Sequence, residues 1–523
     1  MKKIQRKIEF KKISKENFNF ITELKKEFPK AEVFLVGGAV RDFFLKQKTK
    51  DYDFVIRNVE LNNLESFLSR QGTVNLVGQC FGVFKFIPFD GDKENPFDIA
   101  LPRKDFSFKT GGYRDVEIQT DSKMEIKQDL SRRDFTINAM ALKWENFKAN
   151  NSTIWEVIDP FKGYDDLQKK IIRAVRNPQD RFKEDYSRIL RALRLSCQLG
   201  FTIEEKTWQA LKNEISGLNK INRTVESIQN EDIIESKVLE KRVVPHEVIA
   251  KEFLKTFLCD PVQAFELYDQ SGAFKELIPE LLTMKNCPQP ENYHAEGDVW
   301  EHTKLALKNL TSVAFQKKFQ IEKFSLELII ATLLHDLGKP YTLKTPERDK
   351  TDRIRFNEHD SVGAQKAKEI AQRLKLSSPE KLGINIEEMV WLVEQHMILI
   401  RGDISKMKNS TIEKYFFHPH FSGEKLLQIS FVDISATITQ KGPLSFDKFN
   451  EMEKRIAGLK KMGKNKKNLP PNLITGHDLM ENFKMKPGPQ IGKCLKYARE
   501  KQLNLKIKSK KQALELLKKH FNL

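Results

Sequence analysis

The N-terminal part of the chain alternates short apolar runs with polar segments, a pattern typical of buried strands. The predicted elements are strands at 33–36, 54–56, 84–89 and 97–101 and a helix at 39–46. From Asp129 onward the spacing of apolar residues becomes helical, most regularly over 167–201. We therefore expect an α+β fold, with strands and helices at the N-terminus followed by helical domains.

Polar segments interrupt this pattern and mark the expected loops and linkers. Residues 103–128 contain Gly111-Gly112 and predict a mobile loop or a hairpin, and residues 219–243 predict a surface insertion. The lysine-rich stretch 460–467 predicts a basic linker, and the tail after it, 474–523, is predicted to be helical and basic.

Length, charge and cysteine usage narrow the class of protein. A chain of 523 residues is too long for one hydrophobic core, so several domains are expected. The net charge of +19 favours a polyanionic partner such as nucleic acid, although a lysine-rich proteome would give the same excess. Five scattered cysteines without a CxxC pair, and a start without an apolar leader, predict a reduced cytoplasmic protein.

Two carboxylates separated by one residue, Asp51 and Asp53, stand at the head of an apolar strand. Residues i and i+2 of a strand point to the same face, so both carboxylates are expected to face one way. Such a pair favours Mg²⁺ shared with substrate phosphates, and two metal ions can activate an attacking hydroxyl and stabilise a leaving pyrophosphate. Asp98 is a candidate third carboxylate from a neighbouring strand.

A glycine pair ends the apolar strand upstream of these carboxylates. Gly37 and Gly38 offer backbone N–H groups without side-chain obstruction, and the helix that follows presents its N-terminus to phosphate oxygens. Arg41 is placed either to pair with a phosphate or to form an ion pair with Asp42. A DxD alone is common in solvated turns, but its combination with a strand, a glycine pair and a helix favours metal-dependent phosphate chemistry.

The run 35–56 resembles the first motif of the class II tRNA nucleotidyltransferases and bacterial poly(A) polymerases, which holds a glycine pair, an Arg-Asp and a DxD in this order. The resemblance implies a polymerase-β-like nucleotidyltransferase palm, a mixed sheet with helices, with Mg²⁺ at its catalytic carboxylates and the glycine pair at the nucleotide. Lys46 lies where that family usually has a glycine that shapes a turn. We therefore expect an altered turn without loss of chemistry.

The run 129–139 matches the second motif of the same family. Arg132 and Arg133 can bind triphosphate oxygens, and Asp134 can accept a hydrogen bond from a ribose hydroxyl. The resemblance therefore implies that all three residues bind the nucleotide.

A third segment, 184–188, carries Asp185 and Arg188 three residues apart, which predicts that they share one helix face. A carboxylate accepts from the exocyclic amino group of C or A, and a guanidinium donates to ring acceptors. The resemblance implies that this pair selects CTP and ATP without a nucleic-acid template. Arg191 and Arg194 are expected to support phosphate binding or the fold.

A second constellation of histidines and aspartates lies further along the chain. Its order resembles the HD phosphohydrolase superfamily, which implies one metal ion held by His302, His335, Asp336 and Asp433. His359 and His396 match the additional ligands of binuclear members. Imidazole and carboxylate together suit Ni, Mn, Co, Fe or Zn. The expected substrates are phosphomonoesters or cyclic phosphodiesters at RNA ends, and the alternatives are a structural metal site or a binding scaffold that kept its ligands.

The resemblance implies five domains in order. They are a catalytic head at 1–160, a nucleotide-selecting neck at 161–218, a helical body with the polar insertion at 219–290, an HD domain at 291–440 and an RNA-binding tail at 441–523. The segment 474–492 also resembles the C-terminus of HD-bearing tRNA nucleotidyltransferases, and its lysines are expected to contact RNA phosphates. A solvated lysine-rich helix is the alternative for this segment.

The motifs together predict an enzyme that adds C and A to the 3′ end of tRNA from CTP and ATP. The presence of the segment 103–128 favours an enzyme able to add A, because loss of this segment goes with CC-only activity in the family. The alternatives are A-only, CC-only or poly(A) addition to RNA. A protein uridylyltransferase is a more distant alternative, and a non-catalytic RNA-binding protein leaves two metal constellations unexplained.

Overall fold

The computed structural model describes residues 8–9, 18–49, 51–77, 82–89, 91–108, 110–112, 116–144, 154–230, 233–462 and 469–523. Two compact units divide the chain, one over 1–277 and the other over 278–523. The finer division into five domains stays a prediction.

The first unit contains a large mixed sheet, several two-stranded ribbons and eleven described helices. Its strands are β1 (Ile8–Glu9), β2 (Glu32–Val36), β3 (Asp53–Arg57), β4 (Gly72–Val77), β5 (Val83–Pro88), β6 (Phe97–Ala100), β7 (Arg103–Ser107), β8 (Val116–Thr120), β9 (Ala141–Trp144), β10 (Ile154–Ile158), β11 (Ile171–Ile172), β12 (Thr202–Ile203), β13 (Ile221–Asn230) and β14 (Ile233–Arg242). Its helices are α1 (Asn19–Glu27), α2 (Gly38–Phe44), α3 (Leu61–Gln71), α4 (Ile126–Ser131), α5 (Gly163–Gln168), α6 (Pro178–Glu184), α7 (Ser187–Leu199), α8 (Glu205–Glu214), α9 (His246–Cys259), α10 (Pro261–Ser271) and α11 (Ala273–Leu277).

The eight-stranded sheet has the order β1-β10-β9-β2-β3-β6-β5-β4. The β3–β6 pair is parallel, and β3 pairs with β2 in the antiparallel sense. The register sets Asp53 opposite Val36 on one side and opposite Asp98 on the other. The predicted mixed sheet is confirmed, and its topology brings the end of β2 and the starts of β3 and β6 to one edge.

The helical expectation after Asp129 is wrong for 141–144 and 154–158, which form β9 and β10. Strand β9 lies beside β2 near the middle of the sheet, and Leu142 is fully buried there. A short apolar run that is buried on both sides has the same pattern in a strand and in a core helix, so periodicity could not separate the two.

Both polar interruptions contain antiparallel ribbons. Strands β7 and β8 form a hairpin within 103–128, and α4 completes that segment. Strands β13 and β14 pair over their full length within the predicted insertion 219–243. The hairpin alternative for 103–128 is therefore the observed one.

An aromatic cluster packs between the N-terminal helix and the sheet. The Phe20 ring lies 5.1 Å from that of Phe86 and 5.8 Å from that of Phe54, both in edge-to-face geometry. Phe18 and Phe97 complete the cluster with centroids 5.6 Å apart. Edge-to-face contacts stabilise aromatic rings beyond the gain from burying them. This cluster therefore holds the strands that carry Asp53 and Asp98 in place.

The second unit is mostly helical. Its helices are α12 (Pro279–Leu282), α13 (Val299–Leu310), α14 (Val313–Phe319), α15 (Leu326–Leu334), α16 (Lys339–Thr342), α17 (Pro346–Asp349), α18 (His359–Arg373), α19 (Ile386–Gln395), α20 (Asn409–Phe416), α21 (Gly423–Ala436), α22 (Asp447–Lys460), α23 (Gly476–Phe483), α24 (Pro489–Leu503) and α25 (Lys510–Phe521). Short strands β15 (Leu343–Lys344) with β16 (Arg355–Phe356) and β17 (Ile438–Thr439) with β18 (Gly442–Pro443) form two small hairpins.

The predicted helical tail is present as α23, α24 and α25, which share a small core of their own built around Leu479, Cys494 and Leu517. The four described cysteines are free, and Cys80 lies outside the described residues. Every helix in the described part of the chain is too short or too polar to cross a membrane.

The turn after α2 corrects the expectation for Lys46. Lys46 has a φ of 56°, the left-handed conformation that glycine favours. Its N–H donates to Phe43 O at 3.0 Å, and the next N–H, of Gln47, donates to Asp42 O at 2.9 Å. These two bonds form a Schellman C-cap, so the lysine adopts the turn that a glycine would make and does not alter it.

Lys46→Gly is expected to stabilise the first unit. A left-handed non-glycine residue costs roughly 1–2 kcal/mol, and glycine loses roughly 0.5–1 kcal/mol in backbone entropy. The net gain in unfolding free energy is about 0.5–1 kcal/mol, which scanning calorimetry of the full chain should show as a rise of about 2 °C. Lys46→Ala is the control, and a glycine variant no more stable than the alanine variant would contradict this account.

Candidate active sites

Three carboxylates gather at the edge of the large sheet. Asp53 is the first residue of β3, whereas Asp51 precedes the strand and is exposed, so the two do not lie on one strand as predicted. Burial, together with the charges of Asp51 and Asp98 and against the opposing effect of Arg133, raises the pKa of Asp53 to about 6. Clustered acidic groups of this kind suit a divalent cation. Asp98 also forms an ion pair with Lys85, at 2.7 Å.

Gly37 allows the closest approach in this site. Its φ is 77°, a conformation that favours glycine. A Cβ at this position would lie 2.8 Å from Asp53 Oδ2 and 3.1 Å from Arg133 Nη1. The bare backbone at the start of α2 therefore contacts both the DxD carboxylate and the second motif, which brings together two segments eighty residues apart.

Arg41 is buried beneath this site and engaged within the protein. Its guanidinium pairs with Asp42 at 2.7 Å, and Nη1 donates to Asn138 Oδ1 at 3.0 Å. Of the two partners considered for Arg41, the structure contains the ion pair with Asp42. A contact with substrate phosphate stays a prediction.

The two arginines of the second motif are aligned by a fully buried aspartate. Asp129 accepts from Arg132 Nη2 at 2.8 Å and lies 3.5 Å from Arg133 Nη2. Burial raises the pKa of Asp129, but the two guanidiniums outweigh that effect and lower it. The aspartate thus orients both arginines, and Arg133 faces Asp53 across Gly37.

Asp134 is buried and paired with helix α7. It lies 2.6 Å from Arg191 Nη2, and its Oδ1 accepts from Phe135 N at 2.8 Å. Burial raises the pKa of Asp134, but the charge of Arg191 and this hydrogen bond lower it to about 2. Arg191 thus ties the second motif to α7, and the role of Asp134 toward a ribose stays a prediction.

Asp185 and Arg188 do not share a helix face as predicted. Asp185 lies in the connection between α6 and α7, where its Oδ1 accepts from Ser187 N at 2.9 Å and from Ser187 Oγ at 2.5 Å. Arg188 lies in the first turn of α7, with its Nε 3.9 Å from Asp185 Oδ2. Its Nη2 donates to Arg132 O at 3.2 Å, which joins the third motif to the second.

The hairpin segment 103–128 is anchored next to this pair. Tyr186 N donates to Gly111 O at 3.0 Å, and a Cβ on Gly111 would lie 2.0 Å from the Tyr186 ring. The φ of Gly111 is 90°. Position 111 therefore requires glycine. Tyr186, the residue that holds Gly111, follows Asp185 directly in the chain.

The second unit brings six predicted ligands together in a buried centre. They come from five segments of the chain and are His302, His335, Asp336, His359, His396 and Asp433. Gly338 makes this possible, since a Cβ there would lie 1.9 Å from His359 O. The turn that carries His335 and Asp336 can therefore pack directly on the start of α18.

The tautomers of three histidines fit metal ligation. Their Nδ1 atoms lie 2.8, 2.8 and 2.6 Å from the backbone carbonyls of Thr332, Phe356 and Val393. A carbonyl only accepts, so each Nδ1 carries the proton and each Nε2 of the neutral ring presents a lone pair. These are the Nε2 atoms of His335, His359 and His396, all buried without a hydrogen-bond partner in the described structure.

Asp336 lies between two sets of ligands. Its Oδ2 is 3.3 Å from His335 Nε2 and 3.7 Å from His302 Nε2. Its Oδ1 is 3.6 Å from His359 Nε2 and 3.8 Å from His396 Nε2. Histidine nitrogens thus face both oxygens of Asp336, and Asp433 lies on the His302 side at 3.1 Å.

Sequence reasoning missed two residues of this centre. Glu296 accepts from His302 Nδ1 at 2.8 Å and from His294 Nδ1 at 2.7 Å. Lys339 pairs with Asp336 at 2.7 Å and donates to Gln289 at 2.7 Å. Lys339 follows Asp336 by three residues and could have been found from that spacing, whereas Glu296 lies outside any helix and gave no signal.

Family models match most of the chain. The Poly A polymerase head domain matches residues 33–173, the HD domain matches 299–434 and the tRNA nucleotidyltransferase domain 2 matches 461–517. The Multifunctional CCA protein of Neisseria gonorrhoeae is 31% identical over 345 residues, which are 66% of this chain and 70% of that protein. The chain belongs to the family of the multifunctional CCA proteins.

Another member, the Multifunctional CCA protein of Alkalilimnicola ehrlichii, is 32% identical over 60% of this chain, and the match spans 63% of that protein. The Thermotoga maritima CCA-adding enzyme complexed with tRNA has a TM-score of 0.56 at 21% identity and covers 97% of this chain and 96% of its own. This likeness shows that the chain shares its fold with that enzyme.

Glu296→Gln is expected to weaken metal binding at the HD centre. Loss of a carboxylate that orients a ligating histidine typically costs about 10–100-fold in affinity. Calorimetric titration with Ni²⁺, which prefers imidazole donors, should show this loss, while the exposed Glu291→Gln should bind as the unchanged protein does. An unchanged Ni²⁺ affinity in the folded Glu296 variant would rule out this role.

Proposed function

We propose that the head adds C and A residues, untemplated, to the 3′ end of tRNA from CTP and ATP. The observation that carries the proposal is the convergence of three motifs on one sheet edge. Asp53 and Arg133 both lie within about 3 Å of the place where a Cβ of Gly37 would stand, and Arg188 donates to the backbone of Arg132. The printed names of the relatives, which are CCA proteins and CCA-adding enzymes, support the same activity.

In the proposed reaction, the 3′ hydroxyl of the RNA attacks the α-phosphate of the nucleotide and pyrophosphate leaves. Asp51 and Asp53 would hold Mg²⁺, with Asp98 as a third carboxylate once it parts from Lys85. When bound, the metal supplies charge stabilisation to the phosphates. The N–H groups of Gly37 and Gly38 and the guanidiniums of Arg132 and Arg133 bind the triphosphate oxygens.

Base selection rests on Asp185 and Arg188. Ser187 holds one carboxylate oxygen of Asp185 and leaves the other facing Arg188. Arg188 is itself oriented by Glu184, at 2.8 Å, and by the carbonyl of Arg132. A fixed acceptor beside a fixed donor matches the amino group and ring nitrogen of C and A, whereas U and G have a carbonyl in place of the amino donor at the corresponding position.

The HD centre is proposed to hydrolyse phosphomonoesters or cyclic phosphodiesters at RNA ends. His302, His335, Asp336 and Asp433 would hold one ion, and His359 and His396 would hold a second through the shared carboxylate. Ni, Mn, Co, Fe or Zn suits this donor set. The metal would supply an activated water, and Lys339 would keep the shared carboxylate ionised.

Three further aspects belong to the same proposal. The tail helices α24 and α25 and the overall charge of +19 accord with binding of RNA phosphates, and a tRNA substrate accords with the cytoplasm. The anchored Gly111 beside Asp185 favours an enzyme that adds A as well as C. An A-only, CC-only or poly(A)-adding enzyme, or more distantly a protein uridylyltransferase, remains the alternative to be tested.

The test is incorporation into tRNA that lacks the CCA end, with each nucleoside triphosphate supplied separately. We expect two added residues with CTP, three with CTP and ATP, and none with UTP or GTP. The double variant Asp51→Ala, Asp53→Ala should lose incorporation altogether, and the matched control Glu65→Ala, Asp121→Ala, which removes two exposed acidic groups away from the site, should keep it. Incorporation of UTP alone, or activity in the first double variant, would contradict the proposal.

A further inference from the structure

Helix α9 carries a half-buried lysine that lacks a partner. Within the part of the chain that the structure describes, the Lys255 side chain has neither an ion pair nor a hydrogen bond. Burial lowers the pKa of Lys255 from its ordinary value, and the charges of Arg194 and Lys251 act in the same direction. Because a partly desolvated cation among other cations is stabilised by an anion, this position favours a negatively charged ligand.

The carboxylate three residues earlier on the same helix is engaged elsewhere. Glu252 is buried, and its Oε2 accepts from Arg194 Nε at 2.6 Å, so an arginine of α7 balances its charge. Lys251, which is exposed and precedes Lys255 by four residues, also has no ion-pair partner among the described residues. Like charges at this spacing lie on one helix face and repel each other. Helix α9 therefore presents two uncompensated cations side by side.

These cations lie near the first carboxylate of the DxD. The charge of Asp51 raises the pKa of Lys255 against the other effects, as a carboxylate at short range does. For Asp53, in contrast, the cation that most opposes the raised pKa is Arg133. The two carboxylates therefore have different cationic neighbours, one from the second motif and one from α9.

Two ion pairs hold α9 in this position. Arg194 joins α7 to Glu252 of α9, and Arg191, one turn earlier on α7, lies 2.6 Å from Asp134 of the second motif. Both carboxylates are buried. The lysines of α9 are therefore fixed relative to the segments that are proposed to bind the nucleotide.

We propose that Lys255 and Lys251 bind the RNA strand that receives the nucleotide, with Lys255 on its last phosphodiester and Lys251 on the one before it. The proposal rests on the nucleotidyl transfer proposed above for the head. Because the attacking and leaving oxygens lie in line across the phosphate, the 3′ hydroxyl arrives on the side opposite the pyrophosphate, which Arg132 and Arg133 would hold. Lysine binds phosphate as a point charge, and the lysines of α9 place the terminal hydroxyl beside Asp51.

The first test is RNA binding by the full chain without nucleotide, measured by fluorescence anisotropy of labelled tRNA lacking its CCA end over a range of salt concentrations. The logarithm of the affinity falls linearly with the logarithm of the salt concentration, and each lost phosphate contact reduces the slope by about 0.7–0.9. Lys255→Ala should show this reduction, and Lys255→Arg, which keeps the charge, should keep the slope. The control Lys30→Ala removes an exposed lysine ahead of β2, at the end opposite the catalytic edge, and should also keep the slope.

Steady-state incorporation of CMP then distinguishes the RNA from the nucleotide as the ligand of Lys255. Lys255→Ala should raise KM for the tRNA about ten-fold, the effect of one charged contact, and leave KM for CTP unchanged. If the unchanged protein incorporates no nucleotide, the transfer function fails while the salt slope still decides the role of Lys255. An unchanged slope in the alanine variant, an equal reduction in Lys30→Ala, or an equal rise in KM for CTP would overturn the proposal.

Discussion

The missing side chain at Gly37 determines how closely the groups of the head site approach one another. Asp53 and Arg133 both lie within about 3 Å of the place where a Cβ would stand. Because the backbone there has a φ of 77°, the position also costs a non-glycine residue conformational strain. The other motifs are linked to this site through two interactions. Asp129 aligns Arg133, and the backbone carbonyl of the neighbouring Arg132 accepts a hydrogen bond from Arg188.

The side chains of the two sites are held in place by different interactions. The head gathers carboxylates near the surface and balances them with arginines and a lysine, so substrate phosphates and cations can exchange. The HD centre is buried, and backbone carbonyls fix three of its imidazoles in one tautomer. A ligand set that is oriented in this way loses little entropy when it binds metal, which accords with resident ions.

Much of this arrangement could be predicted from the sequence, and the exceptions have physical reasons. The mixed sheet, the glycine pair before α2 and the six HD residues were predicted, because motif spacing reports them directly. Strand β9 was missed because a short buried run has no distinctive period. The placement of Asp185 outside α7, and the support of His302 by Glu296, depend on tertiary contacts that spacing does not encode.

The central claim is that the close contact at Gly37 positions Asp53 for nucleotide transfer. The most direct test compares Gly37→Ala with Gly200→Ala, which shares the left-handed backbone (φ 64°) but whose Cβ would meet nothing within 4 Å. Incorporation of CMP into tRNA lacking its CCA end should fall about 100-fold in the first variant, as expected for a displacement of about 1 Å, and stay within a few-fold in the second. Equal activity in the two variants, with both folded by circular dichroism, would contradict the account.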